Sequence, residues 1–567
     1  MFFLLAARAR GLALFQLIIT WAPLRRVCAR ADVQFIWVCL VLLGAFTLVR
    51  PLFAAAVPEE VFRSRFVMGQ LAVDDYRQLV SAARRQKPMV PRVLFVLLPA
   101  VLLALAGVRP RWQQWEASGG LRRFVTTLVV VLAWAGSTYN YNLYLDVGHW
   151  FDRAGLLALA AATWWWPLAL PPFATWVVIM LWEVSSVGLG HDDFDWRPLI
   201  EVLALFACFV WLSFWKRLNT RHFLFVALYS LASYYYFAGY AKIFYGPTFS
   251  WIIDNHTSNL FLAAWQHGWL NWFLSERAAL VATRALRHID LAAGLFTVFV
   301  AEIGVIVWLA VHPRATRVWL LCAAGLHLGI FVFAGVCFWK WIAMDLALWY
   351  FLRGEGASLH AEIFKHKAVL VFGVVLLLCS GQRTYFNPTT GVAWYDTNFN
   401  ELYHLQAVGK SGRTYDLDPN VFAPYDARMT QENFCYLSDE PYLTAIYGQT
   451  GNHAVLRKLE ASKTAAEALA VLNAHRRPCT DDKRRAAWDT LVSRTMANIN
   501  RRGLPHRWLA LLGRFDHIWL LRKGPRFSAN EPVVRVQVWR ERTLFTGDRI
   551  VSVSKTKIHE VDVPLMP

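Results

Sequence analysis

The stretch HFLFVALYSLASYYYFAGYAK, residues 222 to 242, decides the class of this protein. It is as long as a helix that crosses a membrane, about 20 residues; it follows Arg221 and ends at Lys242. A lysine at the edge of an apolar segment either extends its amine to water or has a function that offsets its desolvation. Which of these roles Lys242 has decides whether the chain is an enzyme.

The composition is typical of a polytopic membrane protein. Of the 567 residues, 57% are hydrophobic, 15% are aromatic and only 17% are charged, and 28 are tryptophan. The formal net charge is +19. The arginines lie in short clusters beside apolar runs, where they would meet anionic lipid headgroups. We therefore expect membrane lipids as partners and no nucleic acid.

The apolar runs predict an all-α polytopic membrane domain of about nine to eleven transmembrane helices, followed by a soluble α+β domain. Residues 1–32 predict an amphipathic surface segment, because Arg8 and Arg10 interrupt the apolar core that a signal peptide needs. Residues 33–381 form the membrane domain, and residues 382–567 form the α+β domain. The predicted spans lie at 34–57, 92–108, 122–146, 149–166, 171–189, 198–215, 222–245, 288–311, 317–336, 338–353 and 366–381.

Short loops rich in arginine and lysine stay in the cytoplasm and so set the predicted orientation. With the N-terminus in the cytoplasm, the acidic run at 191–195 falls outside. The loop 58–91 is an exception, because it would also lie outside and it carries both basic and acidic side chains. An odd number of spans makes the C-terminal domain extracytoplasmic. The basic clusters that face the cytoplasm lie at 25–30, 109–123, 216–221, 314–317 and 353–367.

Residues 249–276 combine four tryptophans with polar side chains. This mixture is typical of a helix in the membrane interface, or of a re-entrant segment shielded by protein. We expect this segment to form an aromatic roof beside the outer end of the helix that carries Lys242.

The C-terminal domain shows helical and strand patterns. Residues 454–503 predict helices, and the alternation from Val533 to Val563 predicts a β-hairpin. Cys435 and Cys479 would form a disulfide outside the cytoplasm or remain as two free thiols. The chain has no CxxC pair, and we expect no metal.

Polar residues occur at two depths in the predicted membrane domain. Asn140, Lys242 and Lys340 lie near the outer ends of separate spans, which predicts either a shared pocket or polar residues tolerated at helix ends. Glu302 and His327 lie near the midplane. They predict an intramembrane polar pair, which would be functional or would only join two helices.

Three runs resemble the horizontally transferred transmembrane (HTTM) domain, over roughly residues 30 to 380. That domain is shared by vitamin K-dependent gamma-carboxylase and by many bacterial proteins. The runs are Tyr-Phe-Ala-Gly-x-x-Lys ending at Lys242, Asn140-Tyr141-Asn142-Leu143-Tyr144, and His327 followed by Gly335-x-x-Phe338-x-x-x-x-Ala343-Met344.

The resemblance implies that Lys242 is the catalytic base that deprotonates a reduced quinone, similar to vitamin K hydroquinone. Its aromatic surroundings favour the neutral amine that a base requires. Where the carboxylase has an Asn-His pair, this chain has Asn140-Tyr141 or Tyr139-Asn140, depending on the register, and no histidine. The expected substrate- or quinone-binding residues are Asn140, Tyr141, Tyr236, Tyr240 and Lys340.

We therefore expect a quinol-dependent carboxylase or epoxidase that acts at the outer leaflet on a peptide or small molecule. The alternatives are a non-catalytic membrane scaffold or immunity-type HTTM protein, in which Lys242 extends to headgroups, and a protein that binds lipid or quinone. A proton-coupled transporter, suggested by Glu302 and His327, is a further alternative.

Overall fold

The structure, a computed structural model, describes most of the chain. The residues it describes are 30–54, 98, 101–116, 119–138, 150–185, 196–382, 384–386, 388, 393–422, 435–438, 440, 449–475, 482–504 and 524–565. Several sequence predictions lie outside these residues, namely almost all of the segment 1–32, the loop 58–91, the acidic run 191–195 and Cys479.

The N-terminal two thirds is helical, as predicted. Its helices are α1 (Ala31–Ala54), α2 (Gly120–Thr138), α3 (Trp150–Trp165), α4 (Leu170–Ser185), α5 (Arg197–Trp211), α6 (Thr220–Ile243), α7 (Ser250–Asp254), α8 (Thr257–Gln266), α9 (Glu276–Arg287), α10 (Asp290–Leu295), a π-helix (Phe296–Glu302), α11 (Val305–Val311), α12 (Pro313–Ala334), α13 (Trp339–Phe351), α14 (Glu355–Ile363) and α15 (Lys367–Ser380). Short 3₁₀ turns lie at Trp112–Gln114 and Pro167–Ala169.

Three helices in the described part are long and apolar enough to cross a membrane, namely α1, α2 and α12. The count rises to five if each of two bent pairs is one span. The prediction of nine to eleven spans is thus confirmed only as a mostly helical region with three to five candidate spans. The helices α3, α4, α5 and α13 are too short for this test, because they have only 13 to 16 residues. Helix α6 has 24 residues but is not among the candidate spans.

Helix α6 lies at the centre of the helical part, where it packs against α1, α5, α11, α14, α15 and the π-helix. It begins at a capping box. Asn219 Oδ1 accepts from the Arg221 N–H at 3.1 Å, and His222 Nδ1 accepts from the Asn219 N–H at 3.1 Å. Because other helices cover it, α6 carries tyrosines and serines that a lipid-exposed span would not.

The predicted span 288–311 is not one straight helix, which corrects that part of the prediction. The π-helix follows α10, and the axis then bends by 46° before α11. The wider turn is visible where the Ile303 N–H donates to Val298 O, five residues earlier, at 2.8 Å. A second bend, of 94°, separates α14 from α15.

The C-terminal part is α+β. Its strands are β1 (Tyr395–Asp396), β2 (Phe399–Gly409), β3 (Thr414–Leu417), β4 (Gln449–Thr450), β5 (Val533–Phe545) and β6 (Ile550–Asp562), and its helices are α16 (His453–Ala461), α17 (Ala465–Ala474) and α18 (Asp482–Arg502). The order β3-β2-β5-β6 forms an antiparallel sheet, and β1 pairs with β4. The predicted hairpin is confirmed as β5–β6, and the helices predicted over 454–503 as α16 to α18.

The segment 249–276 forms α7 and α8, and the C-terminal part covers it. Asp396 accepts hydrogen bonds from Asn255 Nδ2 at 3.1 Å and from Gln449 Nε2 at 2.6 Å. Burial raises the pKa of Asp396 to about 6, and these hydrogen bonds limit the rise. The part of the segment around Asn255 is therefore shielded by protein, whereas Trp272 and Phe273 near its end are exposed.

His256 joins the two parts of the chain. Its Nδ1 lies 3.3 Å from Asp290 Oδ2, and its Nε2 lies 3.1 Å from Glu460 Oε1 on α16. Burial alone would lower the pKa of His256, but the two carboxylates outweigh it and raise that pKa to about 9. The imidazolium therefore lies between one carboxylate from each part.

We predict that stability falls as pH rises from 6.5 to 9, because the pKa of His256 is higher in the folded chain than its ordinary value of 6.5. The charged imidazole stabilises fully below about pH 6.5, and its contribution is lost as pH passes about 9. The loss amounts to at most about 3 kcal/mol. Thermal unfolding of the full chain in detergent measures it.

His256→Gln should unfold with much less dependence on pH over this range. The matched control is His288→Gln, which removes an exposed histidine of the neighbouring turn and should keep the wild-type dependence. An identical pH profile for wild type and His256→Gln would contradict the proposed ion pair.

Candidate functional site

The site begins where α6 and the π-helix approach each other at Gly239. A Cβ at this position would lie 2.8 Å from Glu302 Cβ and 3.1 Å from the backbone nitrogen of Ile303. Only glycine leaves room for this approach. Residues 235, 239 and 242 follow the helical spacing i, i+4, i+7, so one stripe of α6 faces the π-helix.

Lys242 and Glu302 form a buried ion pair on this stripe. Lys242 Nζ donates to Glu302 Oε1, and the exposed fractions of the two side chains are only 10% and 5%. The other carboxylate oxygen, Oε2, has no hydrogen-bond partner among the residues that the structure describes. Lys242 therefore does not extend to water or headgroups, which decides against the first of its two predicted roles.

Trp251 of α7 covers the ammonium of Lys242. The distance from Nζ to the centre of the indole ring is 5.2 Å, within the range of a cation–π contact. The indole N–H donates to Trp394 O at 2.8 Å, just before β1. Of the four tryptophans in the aromatic roof predicted over 249–276, Trp251 lies over Lys242, and the C-terminal part holds its ring in place.

Two other tryptophans stabilise the π-helix. Trp308 Nε1 donates to Val300 O at 3.0 Å, and Trp319 Nε1 donates to Ala301 O at 2.9 Å. A π-helix is less favourable than an α-helix and occurs frequently at functional sites. These bonds satisfy carbonyls beside Glu302 and so hold the carboxylate against α6.

A second buried polar cluster lies next to the first. The Tyr235 hydroxyl donates to Asp345 Oδ2 at 2.7 Å and lies 2.9 Å from His327 Nε2. The three side chains come from α6, α12 and α13, and all are less than one tenth exposed. Asp345 was not among the predicted site residues, although a single acid in the apolar run WIAMDLALW was a visible signal.

The predicted pair of Glu302 with His327 is wrong. Glu302 pairs with Lys242, and His327 pairs with Tyr235. The prediction used depth alone, and depth does not specify which face of a helix a residue occupies. The π-helix also changes the direction of every side chain on it relative to a regular α-helix, so Glu302 faces α6.

Tyr236 and Tyr240 lie on a different face of α6 from Lys242. At about 100° per residue, Tyr240 lies about 200° around the axis from Lys242. Its side chain is 45% exposed, and it packs between Tyr236, with ring centres 6.3 Å apart, and Phe244, at 4.7 Å. The two tyrosines form an outward aromatic surface beside the ion pair, without lining it.

Lys340 is buried at the start of α13, in a different environment. Its Nζ lies 5.6 Å from the ring centre of Trp196 and 5.4 Å from that of Trp339. The proposed neighbours Asn140 and Tyr141 lie outside the described residues, so the shared pocket of Asn140, Tyr141, Lys242 and Lys340 stays a prediction.

No protein-family model, no curated protein and no solved structure matches this chain. The resemblance to the HTTM domain, which depends on short motifs, therefore stays a hypothesis. What the site can do has to follow from its own geometry.

We predict that Gly239→Ala separates α6 from the π-helix, because the added methyl group meets Glu302 Cβ and a backbone atom. The cost in stability should be about 1 to 3 kcal/mol, typical of overpacking. Thermal unfolding in detergent measures it. The control is Gly325→Ala on α12, where a Cβ would have no atom within 4 Å and alanine favours the helix. Equal stability of the two variants would show that the approach at Gly239 is not tight.

Proposed function

We propose that this chain is a multi-pass membrane protein in which Lys242 and Glu302 exchange a proton with a reduced quinone. The observation that carries the proposal is the buried ion pair between them, held together by a π-helix and covered by Trp251. Buried charges of this kind are costly and cluster at functional sites. The proposed reaction is the quinol-dependent carboxylation or epoxidation to which the HTTM-like motifs point.

The pair can supply a neutral amine without moving a charge through the protein. Lys242 must lose a proton before it can act as a base. Glu302 contacts the ammonium directly and can take that proton, which leaves a neutral amine and a neutral acid. Two neutral groups cost less to bury than two ions, so the transfer is reasonable in a site from which water is excluded.

The residues of the site fit a quinol. A bound quinol would supply an acidic hydroxyl group. Glu302 Oε2, which is buried and has no partner among the described residues, is an acceptor for a hydrogen bond from that hydroxyl. The outward rings of Tyr236 and Tyr240 offer an aromatic surface to a molecule that arrives from the lipid phase.

The proposed orientation has the N-terminus in the cytoplasm and the C-terminal part outside. The three to five apolar helices of sufficient length support insertion in the membrane. Arg221 lies in the first turn of α6, whose last turn carries Lys242, and basic residues favour the cytoplasmic side. Lys242 would then lie near the outer leaflet, beneath the part of the chain that would present a peptide or small substrate.

We predict that the purified protein forms quinone epoxide from a quinol, oxygen and bicarbonate, and that Lys242→Ala abolishes this activity. Lys242→Arg should lower it by at least about 100-fold, because arginine keeps its proton and cannot serve as a base. Arginine also keeps the charge opposite Glu302, so the variant should fold. Product analysis by chromatography measures the outcome.

The matched control for charge is Lys365→Arg, an exposed lysine in the turn between α14 and α15, which should have no effect. If the wild-type protein forms no epoxide with any common quinol, the proposed reaction is wrong. If Lys242→Arg is fully active, Lys242 is not the base.

A non-catalytic scaffold is the second candidate, and the same ion pair favours it in one respect. Lys242 and Glu302 join α6 to the π-helix, and an interhelical ion pair can serve only to hold two helices together. In such a protein the pair would matter for stability and for nothing else.

A double variant separates the two candidates. Lys242→Met should cost about 3 to 5 kcal/mol, because it leaves the Glu302 carboxylate buried without a cation. Lys242→Met with Glu302→Leu should recover most of that stability, as measured by thermal unfolding. In an enzyme the double variant regains stability and still forms no epoxide. Epoxide formation by the double variant would contradict the proposed chemistry.

A further inference from the structure

Three arginines come together at the end of the helical part that lies opposite Lys242. Arg122 and Arg123 are in the first turn of α2, and Arg353 lies two residues after the end of α13. Arg123 Nη1 donates to the Tyr350 hydroxyl at 2.7 Å, and the backbone N–H of Arg353 donates to Tyr350 O at 3.1 Å. The start of α2 and the end of α13 therefore meet at one place.

This end of the helical part lies about one bilayer thickness from Lys242. The start of α6 contacts the segment just before α2, where Thr220 Oγ1 donates to Trp115 O at 2.6 Å. Helix α6 has 24 residues and carries Lys242 in its last turn. At about 1.5 Å per residue it is about 36 Å long. The hydrocarbon core of a membrane is about 30 Å thick. If Lys242 lies near the outer leaflet, as proposed, the arginines lie at the cytoplasmic surface.

Aromatic rings hold two of the guanidinium groups in place. Arg122 Cζ lies 4.0 Å from the ring centre of Trp164, at the end of α3, and Arg353 Cζ lies 5.1 Å from that of Trp349. A cation–π contact restricts a guanidinium group without using its N–H donors. The donors therefore remain available for an anion, and the geometry of a phosphate matches them.

The three positive charges have no counter-ion in the described part of the chain. None of the three guanidinium groups forms an ion pair there, and Arg122 Nε has no hydrogen-bond partner there. The nearby carboxylate of Glu116 accepts from the backbone N–H of Arg122. Three like charges in one place repel each other, and an anion that binds them removes the repulsion.

Exposed tryptophans lie beside the arginines. Trp164, Trp165 and Trp166, at the end of α3, are all exposed. Tryptophan is enriched where the membrane meets water, so these rings favour a lipid over a soluble anion. A zwitterionic headgroup would bring an ammonium group that the arginines repel. A phospholipid with net negative charge fits this surface best.

We propose that Arg122, Arg123 and Arg353 bind the phosphate group of an anionic phospholipid in the cytoplasmic leaflet, with Trp164 and Tyr350 at the level of the headgroup. The proposal rests on the membrane insertion assumed in the proposed function. It does not depend on the reaction at Lys242, which lies at the other end of α6.

Native mass spectrometry of the full-length protein in detergent, titrated with phosphatidylglycerol or phosphatidylcholine, tests the site. One arginine near an anionic lipid raises the affinity about fivefold, so three should make phosphatidylglycerol bind about 100-fold more tightly than phosphatidylcholine. The triple variant Arg122→Gln, Arg123→Gln and Arg353→Gln should bind the two lipids with nearly equal affinity. Arg353→Gln alone should lower the preference about fivefold, which keeps the test available if the triple variant does not fold.

The matched control is the triple variant Arg413→Gln, Arg457→Gln and Arg549→Gln, which removes the same charge from exposed positions of the C-terminal part and should keep the preference. Equal binding of both lipids by the wild type, or an unchanged preference in the first triple variant, would overturn the site. Competition by glycerol phosphate at the concentration of the lipid would show that the site binds a soluble anion, and would overturn the assignment to lipid. If the lipid preference is present and no quinol is turned over, only the proposed function fails.

Discussion

The close approach of α6 and the π-helix at Gly239 is the constraint on which the rest of the site depends. It brings a carboxylate within reach of Lys242 in a region from which water is excluded. A buried lysine without that carboxylate would be too costly to keep. The wide turn of the π-helix and the two tryptophans that satisfy its carbonyls hold Glu302 there, and the bend before α11 follows directly after it.

The helical part and the C-terminal part are joined by polar contacts as well as by apolar packing. Asp396 is buried among amides, and His256 lies between two carboxylates. Polar contacts of this kind fix one relative position, because each group has a single satisfactory partner arrangement. The same segment carries Trp251, so the position of the C-terminal part sets the position of the ring over Lys242.

The sequence was sufficient to predict the helices and the β5–β6 hairpin, because hydrophobic period and composition are local properties. It was not sufficient to pair Glu302 correctly. Counting residues from a basic loop gives depth, whereas the partner depends on rotation about the helix axis, and a π-helix changes that rotation. Tyr240 shows the same limit of prediction from residue spacing. It lies only two residues before Lys242 in the sequence, but on a helix this places the two side chains on nearly opposite faces.

The bond from Trp251 to Trp394 has a consequence for biosynthesis. The ribosome supplies residue 242 first, residue 302 sixty positions later and residue 394 last. During insertion the nascent lysine therefore has no counter-ion until the second half of the helical part emerges. The indole that covers it is anchored only when the chain beyond α15 has been translated. Both residues of the ion pair are thus present before the carbonyl that anchors the indole of Trp251.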